Sequence, residues 1–295
     1  MQNLLNIYCF SRGLLLVAGL AGVLAVSPNC VHGQQSAVAD AAQGENFLGF
    51  DRNIYPGDAA LPVLRKTFSF ASFWISPPPG GTSNTWVGKR ALLREQGFGF
   101  VVLYRGREER ELKTPAQAAA AGASDARDAA ANAKREGFAA GTIVFLDIEE
   151  GGRLSPAYHA YLRSWADTLL AAGYRPGVYC SAIPVSEGHG VTIATADDIR
   201  GNEAPREFSY WVYNDVCPPA PGCATKLSAP PTAKSGIPYA AVWQFAQSPR
   251  RKEYTAKCAT TYARDGNCYA PGDTARAWFL DLNSATSADP SGGAK

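Results

Sequence analysis

Eight short runs of apolar, β-branched and aromatic residues recur along this chain with turn signals between them, and they restrict its fold more than any other feature. They are FLGFDRN (47–53), FSFASFWI (68–75), GFVVLYRG (99–106), TIVFLDIE (142–149), PGVYCS (176–181), FSYWVYN (208–214), AAVWQFAQ (240–247) and AWFLDLN (277–283). Near-continuous apolar runs of this length suit parallel strands buried on both faces. Between the early runs lie helices with readable ends. Thr114 as N-cap, Pro115 in the first turn and Gln117 at the capping-box position start an alanine-rich helix that stops at Gly137. Ser155, Pro156 and Gly173 bracket a second helix, whose Tyr158, Tyr161, Leu162, Trp165 and Leu169 make one apolar stripe suited to packing on a sheet. A third helix is expected over about residues 85–96, and a shorter one within GDAALPVLRKT.

Strands alternating with helices predict an α/β fold, a TIM-type (β/α) barrel, and 295 residues with 46% hydrophobic content can fill one. The second half breaks the alternation. The prolines of DVCPPAPGCATKLSAPPTAKSGIP exclude a long helix, so the barrel is expected to be helix-poor there. The predicted organisation is a signal peptide over 1–33, a linker over 34–46, the barrel domain over 47–285 and a small, polar, disordered tail over 286–295.

Arg12 followed by an apolar run over 14–26 and then small and polar residues is the order of a secretory leader, and the run is short for a membrane span. Cleavage is expected near Val31-His32-Gly33, leaving no membrane association; a retained anchor is the rival. Cys9 and Cys30 leave with the leader. Two close pairs, Cys217 with Cys223 and Cys258 with Cys268, lie in Pro-, Gly- and Asn-rich loops and are expected as disulfides of an exported protein, while Cys180 reads as a buried free thiol. Zinc is a weaker reading of those four loop cysteines, because neither pair has the usual two-to-four-residue spacer. The formal charge of +2, with scattered Lys and Arg, leaves no nucleic-acid footprint.

Three acids end the fourth run. Alternation puts Asp147 and Glu149 on one face and Leu146 and Ile148 on the other, so if the apolar pair lies beneath helices the carboxylates point into the barrel mouth. Active sites of such barrels sit at that end. The eighth run repeats the pattern with Asp281 and Asn283, and the first ends on Asp51. Close carboxylates in a partly desolvated cleft repel, so one stays protonated and can act as a general acid while another stays ionised, as glycoside hydrolysis requires. The plain alternative for each acid is a helix cap or an Arg partner, and Glu150 is assigned to it. Tyr104, Tyr179, Trp211, Tyr213 and Trp243 gather at the same strand ends, as stacking surfaces for sugar rings or as core filling with bonded polar tips. His159 lies off its helix's apolar stripe and is expected to be exposed, and His189 to be a loop residue. There is no G-x-S-x-G elbow, P-loop, H-E-x-x-H or dinucleotide G-x-G-x-x-G after a strand.

The ordered set GFD, LDIE, GVYC, YWVY, VWQF and FLDLN, over about 47–285, resembles glycoside hydrolase family 25, the lysozyme-like muramidases, and looks closest to the related bacterial glycoside-hydrolase-like domain group. The resemblance implies five β/α units followed by three helix-poor strands. It implies Glu149 as proton donor, Asp147 as substrate orienter or charge stabiliser, and Asp51 and Asp281 lining the same cleft. It also implies sugar sites shaped by Tyr104, Tyr179, Trp211, Trp243 and Gln244. The bulky RNIYPGD after the first-strand Asp and the cysteine loop before the eighth strand depart from the family pattern. The expected function is an exported hydrolase of peptidoglycan or another N-acetylated glycan, acting as a monomer without cofactor or metal. The alternatives are a non-catalytic cell-wall-binding barrel and a carboxylate cluster that binds Ca2+ structurally.

Overall fold

A computed structural model describes residues 45–215, 228–247 and 280–295. The expected disulfides, joining Cys217 to Cys223 and Cys258 to Cys268, lie outside the described residues, as does the leader. Each of the eight apolar runs contributes a strand: β1 (Phe47–Asp51), β2 (Phe70–Trp74), β3 (Gly99–Arg105), β4 (Ile143–Asp147), β5 (Arg175–Ser181), β8 (Ser209–Tyr213), β9 (Val242–Ala246) and β10 (Asp281–Ala285). They close a barrel in the order β1-β10-β9-β8-β5-β4-β3-β2. A separate hairpin, β6 (Val185–Gly188) with β7 (Val191–Ile193), follows β5.

The eighth run departs from the expected direction. β10 is antiparallel to both its neighbours, whereas the other barrel pairs are parallel. Apolar content carries no strand direction, so the run could not show this. The reversal also means that Asp281 opens its strand rather than closing it. It still reaches the expected rim, because a reversed strand starts where parallel ones end, and Asp51 pairs in register with Asp281.

The helices are α1 (Leu61–Leu64), α2 (Arg90–Glu95), α3 (Pro115–Arg135), α4 (Pro156–Ala171) and α5 (Thr195–Glu203). Thr114 Oγ1 caps α3 by accepting from Gln117 N–H, and Ser155 Oγ caps α4 by accepting from Tyr158 N–H. All five residues of the α4 stripe are fully buried. α3 and α4 come close at Gly122, where a Cβ would stand 2.3 Å from Tyr161 O. α5, missed in the sequence because its apolar content is low, is clamped to α4 by the Arg163–Glu203 ion pair and by polar contacts of His159. The His159 ring nitrogens face Glu203 Oε1 at 2.8 Å and Asp198 Oδ2 at 3.0 Å. His159 is thus buried, not exposed: its off-stripe position faces a second helix. Cys180 is a buried free thiol, as expected.

Residues 286–295 form an ordered cap, not the disordered tail expected. Ser291 N–H donates to Phe100 O, and Ile143 N–H donates to Ser291 O, both at 2.8 Å. Asp289 Oδ1 accepts from Phe100 N–H, and Arg90 donates to the carbonyls of Gly293 and Lys295. These bonds finish the starts of β3 and β4 at the barrel end opposite Asp51. Two glycines let this segment lie close: a Cβ on Gly99 would run into Ala288 O, and one on Gly293 would meet the Phe138 ring at 2.9 Å.

Candidate active site

Strand parity separates the predicted residues. Phe145 on β4 meets Trp211 on β8 edge-on at 5.9 Å, and a Cβ on Gly49 of β1 would enter the Phe70 ring of β2. These rings mark the interior face, and Asp147 and Asp51 are in phase with Phe145 and Gly49. Asp147 is the last residue of β4 and is 6% exposed; Asp51 ends β1; Asp281 begins β10 and is buried. Glu149 stands two residues beyond β4 and is exposed to solvent. The four acids are thereby gathered at one rim.

Their electrostatics are unequal. Burial first, then the charges of Glu149, Asp51 and Glu150, push the Asp147 carboxyl well above the usual carboxylate range, with Arg105 on the neighbouring strand pulling it back. Burial, Asp51 and Glu149 likewise push the Tyr179 hydroxyl up. Glu150 does what its plain reading says: its Oε1 accepts from Glu109 N–H at 2.6 Å and holds the loop after β3.

The predicted sugar platforms divide. Tyr104 is out of phase with the mouth. Its hydroxyl donates to Asp128 Oδ2 on α3 and its ring leans on Trp165 of α4, so it packs beneath helices and is no part of the cleft. Trp243 is also withdrawn. It alternates with Gln244, packs on Phe245, donates to Asn214 O and is 1% exposed. Tyr179 and Trp211 do face the interior, yet both are buried with their polar tips bonded to side-chain amides, Tyr179 to Gln244 and Trp211 to Asn283. Tyr213, half-buried and tilted against Tyr179 at 5.3 Å, offers an aromatic face nearer the surface.

Two residues were given no role from the sequence. Asn283, read there as sharing a face with Asp281, donates to Asp51 Oδ2 at 2.6 Å. Trp74 ends β2 in phase with Phe70, buried, with an indole N–H that has no hydrogen-bond partner among the described residues.

The site is thus a set of four carboxylates at one rim of a closed barrel. Residues 82–217 match the model of a family described as Rv2525c-like, glycoside hydrolase-like domain. The match runs from the approach to α2 through β8 and includes Asp147 and Glu149, bearing out the resemblance read from the motifs. Asp51 and Asp281 lie outside it and are brought to it by barrel closure.

No curated protein matches the chain. Solved structures of similar fold include an uncharacterized protein of B. stearothermophilus, 20% identical over 81% of this chain and 95% of that one, with a TM-score of 0.51. They also include the Mycobacterium tuberculosis Tat-secreted protein Rv2525c, 16% identical over 84% and 98% with a TM-score of 0.46. A lysozyme from Streptomyces coelicolor is 14% identical over 82% and 92%, with a TM-score of 0.48. Among the described residues, no helix is long and apolar enough to cross a membrane.

Proposed function

We propose that this protein is an exported glycoside hydrolase that acts, as a monomer, on peptidoglycan or a related N-acetylated glycan, with Glu149 as general acid. The observation that carries the reading is the placement of a buried Asp147, its carboxyl pushed up by burial and by its acidic neighbours, beside a solvent-exposed Glu149 at one strand end. Glu149, taking up the proton that Asp147 holds, gives it to the glycosidic oxygen as the bond from C1 to that oxygen breaks. The substrate's acetamido oxygen closes on C1, and Asp147 orients that group. Water then opens the ring so formed, with Glu149 as base. The leader over 1–33 supports export, and the loop cysteine pairs suit an oxidising compartment.

The bulky segment Arg52 to Tyr55 after Asp51, with Ile54 58% exposed, favours a second reading, a barrel that binds glycan without cutting it. Turbidity clearing of purified cell walls separates the two. The domain is expected to clear walls and Glu149→Gln to lose about 10²–10⁴-fold in rate, the usual contribution of a general acid. Equal clearing by both would remove Glu149 from the chemistry; wall pull-down by both without clearing would favour the binding barrel.

A further inference from the structure

Inside the barrel, two side-chain amides aim at one oxygen. Asn283 Nδ2 and Gln244 Nε2 donate to Asp51 Oδ2 at 2.6 and 2.8 Å. The Asn283 amide is not free to turn over. Trp211 Nε1–H donates to Asn283 Oδ1 at 2.8 Å. An indole N–H can only donate, so the amide oxygen must face the indole and the amide N–H must face Asp51. The Tyr179 hydroxyl donates to Gln244 Oε1 at 2.9 Å, and Gln247 Nε2 donates to the same oxygen at 2.9 Å. The two anchors brace each other, with rings 4.8 Å apart and edge to face, and Trp211 is further wedged by Phe145. Both are buried, so neither swings away without opening the core.

We infer that Trp211 and Tyr179 are positioning residues that act through Asn283 and Gln244 to hold Asp51 as the anion of the carboxylate cluster, leaving the shared proton on the β4 side. This inference deepens the hydrolase reading and rests on it for its use. Among the described residues, the titratable groups around Asp51 include Asp281 across the β1–β10 register, Asp147 from β4 and Tyr179 from β5; Glu149 acts with Asp51 on Asp147 and Tyr179, Arg52 follows Asp51 in the chain, and Arg105 of β3 acts on Asp147. Like charges so close force a proton onto one member, and two N–H donors on a single oxygen favour the charged form of the acid that bears it. Asp147, buried and raised, is the member that takes the proton. The two aromatic residues therefore serve the chemistry from beneath, by fixing which acid is the anion, rather than by stacking on sugar.

The test is a carboxyl-carbon NMR titration of protein labelled with ¹³C-aspartate, with Asp51 and Asp147 assigned by Asp51→Asn and Asp147→Asn. In the unmodified protein Asp51 is expected to be ionised well below the pH at which Asp147 loses its proton. Asn283→Asp, nearly isosteric, replaces a donor by an acid, and the Asp51 midpoint should rise by about one to three pH units. Trp211→Phe frees the Asn283 amide to turn, with a shift of the same sign. The acid limb of any clearing activity should move to higher pH in both variants. An Asp51 midpoint unchanged in folded Asn283→Asp, or one above that of Asp147 in the unmodified protein, would overturn the inference. The titration needs no substrate, so a protein that titrates as expected but clears no walls would refute the hydrolase reading alone.

Discussion

Asp147 is where stability and chemistry pull in opposite directions. Its carboxyl is raised by burial and by its acidic neighbours. A carboxyl whose folded pKa lies above its unfolded value binds more protons folded than unfolded between the two, so stability falls as pH climbs through that window and stays reduced above it. Asp147→Asn should therefore raise the Tm at neutral pH, with the gain vanishing below about pH 4, where an unfolded Asp is also protonated. Thermal melts of both proteins across acid and neutral pH read this directly, and wall clearing should be lost in the same variant. This much of the site was legible in FLDIE, because alternation of side chains needs only one apolar neighbour to fix its phase. Tyr104 and Trp243 were misplaced because position near a strand end was taken without phase: each is out of step with the inward residue beside it. The amide pair was harder to see, since an Asn and a Gln gain meaning only from the acid they face.

At the scale of elements, the contact of α3 with α4 depends on one missing side chain. Gly122 in a helix interior concedes about 1 kcal/mol of propensity to Ala. A Cβ there would, however, meet the Tyr161 carbonyl at 2.3 Å, a backbone atom with no rotamer to escape into. Overpacking of this kind costs about 1–3 kcal/mol, so the clash outweighs the propensity gain. Gly122→Ala should lower the urea midpoint, with far-UV circular dichroism unchanged in the absence of denaturant. The capped ends of α3 and α4 and the α4 stripe were readable because they are local. α5 and the β6–β7 hairpin were not: α5 is held by charges brought from α4, and both hairpin strands are largely exposed and too short to show a period.

The barrel is a ring of strands fastened at a seam. The strand count, the barrel and its helix-poor flank follow from the spacing of apolar runs, whereas the reversal of β10 and the cap over 286–295 rest on long-range pairing. Asp51 and Asn283 meet across 232 residues, and the seam also sets Asp51 against Asp281, an opposition of like charges that weakens a strand pair. Contacts of such sequence separation form slowly, because the chain must close a large loop before the bond repays it. In pulsed hydrogen exchange during refolding, amides of the β3–β4–β5 ladder should gain protection before those that join β1 to β10; simultaneous protection would refute this order.

The seam also governs when the rim is complete. Until β10 docks, Asp51 lacks its Asn283 donor and Asp281 is absent from the rim. A chain whose last strand has not yet docked therefore lacks the assembled carboxylate cluster. Whatever the rim does is thus withheld until the ring is joined.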